Sequence, residues 1–268
     1  MKRQLLRALA RRAGLVTGIV VLGWLAWVVG AMSSGRSFRP GWLGTLFFIF
    51  VASTLLMAWV ASWRRMVIRE SALPVLPRRG LRKAYPKLET KDVDLVERGF
   101  RQFFLACARS DGRQVAMPSK AVDAYWHAFI LDTKGYADWC DRALGRFLHH
   151  VPTERLGNDA EANDGLRRAW FFACREEAID PRKPSRLPLL FALDAKLGIE
   201  GGVVYSPRLR PPGTKLGDGG DGIDIVYGGD FADDSFAGDA DGMGGIDGGG
   251  ADGGGDGGGS SCGGGDGD

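Results

Sequence analysis

Residues 14–32, GLVTGIVVLGWLAWVVGAM, and residues 42–63, WLGTLFFIFVASTLLMAWVASW, contain no charged side chain. At about 1.5 Å of rise per helical residue, each run is long enough to cross a hydrocarbon layer of roughly 30 Å. Uncharged runs of this length are rare in soluble cores, so the pair reads as two membrane spans rather than two buried helices. Trp42 and Trp63 bracket the second run, as tryptophans at a membrane interface do. The link over residues 33–41, SSGRSFRPG, is short, so the two spans form a hairpin.

Basic residues set the expected orientation. Lys2, Arg3, Arg7, Arg11 and Arg12 precede the first span; Arg64, Arg65, Arg69, Arg78, Arg79, Arg82 and Lys83 follow the second; the link has only Arg36 and Arg39. Both chain ends are therefore expected in the cytoplasm of a multi-pass inner (cytoplasmic) membrane protein. Val29 and Ala31 also fit the pattern ahead of a signal-peptide cut, but the apolar run is long for one, and the second span returns the chain to the cytoplasm. The group Arg64, Arg65, Arg69, Arg78 and Arg79 has two readings: a topology signal alone, or a lipid-facing cluster for anionic headgroups, worth about 1 kcal/mol per residue near the surface.

Charge is divided sharply along the chain. All 35 Lys and Arg lie at or before Lys215, while the tail from Leu216 to Asp268 holds 13 of the 32 acidic residues, every one an Asp. The first 215 residues thus keep 19 acids and a net charge of +16. Anionic lipid, nucleic acid and the chain's own tail are the partners such a body suits. Nucleic acid is the weakest, because the bases concentrate beside the membrane. Cys107, Cys140, Cys174 and Cys262 are widely spaced with no CxxC pair, which fits a reducing compartment.

The expected organisation is a basic N-terminus (1–13), the hairpin (14–63), a basic Arg/Pro-rich linker (64–87), a helical domain (88–205) and a Pro/Gly/Asp-rich tail (206–268). The fold class is mostly α. Val93, Val96, Phe100, Phe103, Phe104 and Cys107 recur at three- and four-residue steps after Thr90 as N-cap, and Gly112 suits the stop. Ser119 caps a second helix with Val122, Trp126, Phe129 and Ile130 inward. A third starts at Thr133, buries Tyr136, Trp139, Cys140 and Ala143, and ends at Gly145. A fourth covers about residues 160–178, and a fifth follows Ser185 to Gly198, with Pro188 tolerated in its first turn.

The order PSKAVDAYWHAFILDT, then Y, WC, LGRFLHHVP and LPLLFALDAKLGI, resembles glycine-rich domain-containing proteins over about residues 88–205. Phe129 stands where bacterial members often have a second histidine. The resemblance implies a helical domain and supplies almost no chemistry.

All three histidines, His127, His149 and His150, fall within residues 122–150. Asp123 and His127 are four apart on one predicted helix and share a face. That spacing is a helical half-site for Zn²⁺ or Fe²⁺, which Cys140 or the His149–His150 pair would complete if the next helix folds back. An Asp–His couple also orients an imidazole for acid–base work. The competing reading is structural: Cys140 on an apolar face, His127 bonded to Asp123, and His149 and His150 capping carbonyls. No P-loop, nucleotide fingerprint or nucleophile elbow is present, and catalytic residues are not assignable from sequence.

The tail is too poor in apolar residues to order itself and is expected to be disordered. GGDGIDIVY, residues 219–227, fits one Ca²⁺-binding β-roll repeat, although such rolls need at least three. The acidic tail is also a candidate intramolecular partner of the basic body. The functional expectation is a membrane-anchored cytoplasmic binding or scaffold module. The alternatives are a metal-dependent or acid–base enzyme using Asp123 and His127, and a Ca-binding Gly/Asp tail.

Overall fold

The computed structural model describes residues 2–36, 41–150, 159–208 and 225–227, with side chains described within 14–36, 41–150 and 164–208. Among the described residues there are eight α-helices and one pair of short strands. The helices are α1 (Lys2–Ser33), α2 (Gly41–Glu70), α3 (Val75–Ala84), α4 (Thr90–Arg109), α5 (Lys120–Ile130), α6 (Thr133–Ala143), α7 (Asp159–Glu176) and α8 (Leu189–Leu197). The strands β1 (Val204–Ser206) and β2 (Ile225–Tyr227) pair in parallel, Val204 opposite Ile225. The expected disorder of the tail, its β-roll repeat and its contact with the basic body fall outside the described residues, except that Ile225–Tyr227 form β2.

Gly14–Ser33 and Gly41–Glu70 are long and apolar enough to cross a membrane. They lie side by side, with the Trp24 indole donating to Thr45 Oγ1 at 2.9 Å and Trp27 edge-on to Trp42 at 5.3 Å. Their apolar side chains face outward: Leu22, Val29, Phe47, Phe48 and Leu55 are all exposed. A soluble core helix would bury such residues.

The segment expected as a linker is helical over most of its length. Helix α2 runs on to Glu70, and α3 follows after four residues. Arg and Pro density suggested a linker, but Pro77 sits in the first turn of α3, where its missing N–H costs nothing, and Leu81 is fully buried. The end of α2 is tied down by Arg101 of α4, which donates to the carbonyls of Ile68 (2.7 Å) and Ser71 (2.9 Å). A cation on the last carbonyls of a helix satisfies orphan acceptors and suits the dipole.

Helix α4 is the centre of the domain. Val93, Val96, Phe100, Phe103 and Phe104 are buried, and Phe100 packs on Tyr125, Phe129 and Trp139 at 5.1–5.9 Å between ring centres. Its N-cap is Glu89 rather than Thr90, because Glu89 and Asp92 form a reciprocal capping box. Helix α5 has the expected Ser119 cap, α6 is capped by Asp132, and Gly198 ends α8 at φ +60°. Glu177 accepts from the Leu189 amide at the start of α8 and also holds Gln102 of α4.

Candidate metal centre

The first turn of α5 is fixed from a distance. Asp194 of α8, 2 % exposed, accepts from the Ser119 hydroxyl (2.6 Å), the Lys120 amide (2.7 Å) and the Ala121 amide (3.2 Å). A carboxylate on the free amides of a helix N-terminus satisfies both the hydrogen bonds and the dipole. This anchoring sets where Asp123, in the same turn, and His127, one turn further on, stand.

The chain beyond α6 returns over α5. Gly145, at φ +72°, ends α6, and the Arg64 guanidinium packs over its Cα face. The Tyr136 hydroxyl then donates to the Leu148 carbonyl at 2.6 Å and accepts from the Trp126 indole at 2.9 Å. Leu148 is thereby pinned to α5 and α6, and His150 follows two residues on, with its ring 4.7 Å from that of Trp126.

Asp123 lies between two imidazoles. Its Oδ2 is 3.1 Å from His127 Nδ1, and its Oδ1 is 2.9 Å from His150 Nε2. The two rings are 4.2 Å apart between centres. One ligand atom from each of the three residues lies within 4.8 Å of the others. Donor atoms around a tetrahedral ion with bonds of about 2.0–2.1 Å sit roughly 3.4 Å apart, so side-chain rotations would be needed to bring the three ligand atoms around one ion. Two histidines and one carboxylate with open positions is a donor set suited to Zn²⁺ or Fe²⁺.

Exposure grades across the cluster. The His127 side chain is 55 % exposed, Asp123 31 % and His150 19 %. The cluster borders a cavity of about 740 Å³ formed by residues 112–120, residues 146–150, Phe103, Trp126 and Val203. An ion held there would keep one side toward solvent and the cavity.

Of the sequence candidates, then, Asp123, His127 and His150 come together. His149 lines the same cavity, but its ring lies against Phe147 at 4.8 Å, outside the cluster. Cys140 is fully buried in the core beside Tyr136 and Trp139. Burial raises its thiol pKa, as it does for Cys107 and Cys174, and keeps it protonated. The anchoring roles of Asp194 and Tyr136 were not read from the sequence. Tyr136 stood there only as a buried apolar-face residue, and neither residue carries a local signal of its long-range partner.

The basic residues after the second apolar helix divide. Arg69 forks onto Glu176 of α7 at 2.8–2.9 Å, and Glu176 also takes Arg109 at 2.7 Å. Arg78 binds Asp94 at 2.6 Å and Glu97 at 2.8 Å. Arg79 is exposed. Arg64 and Arg65 line a second cavity of about 340 Å³ together with Arg109 and Phe172.

Comparison with known proteins decides the family. A model of the UCP032817-like family matches residues 63–221, more than half of the chain. The chain belongs to the UCP032817-like family. The match begins where the second apolar run ends and spans the helical domain, so the cluster and its cavity lie within the family region. It corrects the resemblance to glycine-rich domain-containing proteins, which is not supported. The residues behind that resemblance include Trp126, Tyr136 and Cys140, which are buried packing groups here. Such residues report a helical core more than a particular family. No curated protein and no solved structure matches the chain.

Proposed function

We propose that this chain is a membrane-anchored binding module whose helical domain holds a divalent metal ion between Asp123, His127 and His150. The convergence of these three side chains at the edge of an open cavity carries the reading. A purely structural Asp–His contact needs neither a second imidazole on the same carboxylate nor a cavity beside it. Zn²⁺ or Fe²⁺ fits the donor set, and the positions left open would take a water or a small ligand. The bound ion would act as a Lewis acid toward that ligand.

The anchor is the two-helix hairpin, with both ends of the chain in the cytoplasm. The excess of basic residues before the first span and after the second supports that orientation. Within the basic cluster, the exposed Arg79 is the member best disposed toward anionic headgroups, since Arg69 and Arg78 are held by carboxylates of the domain.

Elemental analysis of the detergent-purified full chain tests the metal reading. About one equivalent of zinc or iron is expected, with loss on Asp123→Asn, His127→Ala or His150→Ala and retention on His149→Ala. Absence of stoichiometric metal after supplementation, or equal retention by all four variants, refutes it.

A further inference from the structure

The walls of the 740 Å³ cavity are unequal in charge. Arg113, Lys120 and Arg146 line it, and Asp123 is the one carboxylate among the described lining residues. Both oxygens of that carboxylate face imidazole nitrogens. Lys120 and Arg146 are exposed and come from separate segments, the first turn of α5 and the turn after α6. They give the cavity a positive rim, and a cleft lined by charge of one sign concentrates ligands of the other. Deeper in, Phe103, Val115, Met117, Trp126 and Val203 supply an apolar wall. The volume falls within the roughly 300–1,000 Å³ of small-molecule sites, which pair apolar walls with a few placed polar groups.

We propose that this cavity binds a small organic carboxylate, its head group held by Lys120 and Arg146 beside the histidine cluster and its apolar body laid against Phe103, Met117 and Trp126. A bare inorganic anion would leave the apolar wall wet, and a neutral molecule of the same shape would leave the cations unanswered. Arg146 offers a planar fork matched to a carboxylate, and Lys120 adds a point charge. The head-group contact stands on the cavity alone. Only its strengthening by an ion rests on the metal reading above, since an ion at Asp123, His127 and His150 would present a further positive centre to the same carboxylate.

The test uses the full chain in detergent, metal-free and zinc-loaded, titrated calorimetrically with benzoate, its neutral counterpart benzamide, and inorganic phosphate. Benzoate is expected to bind at least about tenfold more tightly than benzamide, as loss of a charge-assisted pair implies. Lys120→Ala with Arg146→Ala should erase that preference, and Lys120→Arg with Arg146→Lys should keep most of it. The unfolding midpoint of each variant, unchanged from the parent, separates lost binding from lost fold. Benzoate and benzamide binding within twofold of each other, no benzoate binding, or indifference to the double alanine variant overturns the proposal. Phosphate binding as tightly as benzoate overturns the apolar half of it. Zinc that tightens benzoate binding in the parent and not in His127→Ala supports both readings. Benzoate preference without any zinc effect supports the cavity and removes the ion's part in holding the head group, whereas stoichiometric zinc without benzoate binding removes the cavity proposal alone.

Discussion

At the scale of single residues, Tyr136 positions His150 through the backbone of Leu148 rather than as a member of the cluster. Tyr136 donates to the Leu148 carbonyl and accepts from the Trp126 indole, and its ring is fully buried. Removing its oxygen leaves a buried N–H and a partly buried carbonyl without their partner. The expected cost is about 1–3 kcal/mol, since orphaned buried polar groups lose their full desolvation energy. Tyr136→Phe should therefore lower the chemical unfolding midpoint. It should also weaken zinc binding more than its stability loss explains, because Leu148 is the fixed point from which His150 is aimed. Parallel denaturation and zinc titration of this variant check both halves. Unchanged zinc affinity in a folded Tyr136→Phe would mean that His150 is positioned by something else. The same residue shows what was readable in the sequence. The histidines and the Asp123–His127 spacing stood out. The choice between His149 and His150 did not, because it depends on where Leu148 is pinned.

At the scale of elements, helix periodicity and caps made α4, α5, α6 and α8 legible, although α8 begins at Leu189, three residues later than expected, with Pro188 as its N-cap rather than inside its first turn. Buried stripes such as Val93, Val96, Phe100 and Phe104 follow directly from 3.6-residue repetition. Helix α3 was not legible, because its stability comes from contact rather than from propensity. Its Gly80 crosses Ala128 of α5 so closely that a Cβ would collide with the Ala128 methyl group. Gly80→Ala should gain helix propensity of about 1 kcal/mol but suffer an overpacking penalty of about 1–3 kcal/mol. The crossing is between backbones and cannot yield as a flexible side chain would, so net destabilisation is expected. A surface substitution on the same helix, Arg79→Ala, should change stability by less than about 0.5 kcal/mol. Thermal unfolding of the two variants side by side reads the difference, and equal midpoints would mean that α3 is free to move off α5. Long-range anchors were equally hidden: Asp194 holds the first turn of α5 from over seventy residues away.

At the scale of the whole molecule, the apolar hairpin and the helical domain share one continuous helix. Helix α2 leaves its uncharged run at Trp63 and enters the domain without a break, ending under Arg101 with Ile68 fully buried in the core. Arg69 and Arg109 converge on Glu176 and add a second tie between α2, α4 and α7. With the hairpin spanning a bilayer as proposed, the domain and its cavity sit on the side at which residue 70 emerges. A hairpin puts the N-terminus on that side and the short link on the other. Thiol labelling can read this in the full chain, because burial raises the Cys107, Cys140 and Cys174 thiols, Cys174 to about 12, and holds them protonated and unreactive at neutral pH. In a Cys262→Ser background, Ser34→Cys should react with an impermeant maleimide in right-side-out membrane vesicles. Lys91→Cys, on the exposed first turn of α4, should react only after the vesicles are opened. Labelling of Lys91→Cys from outside, or of both positions alike in sealed vesicles, would reverse or abolish the proposed topology. It would also put the cavity in a compartment where the positive flanks of the hairpin need another explanation.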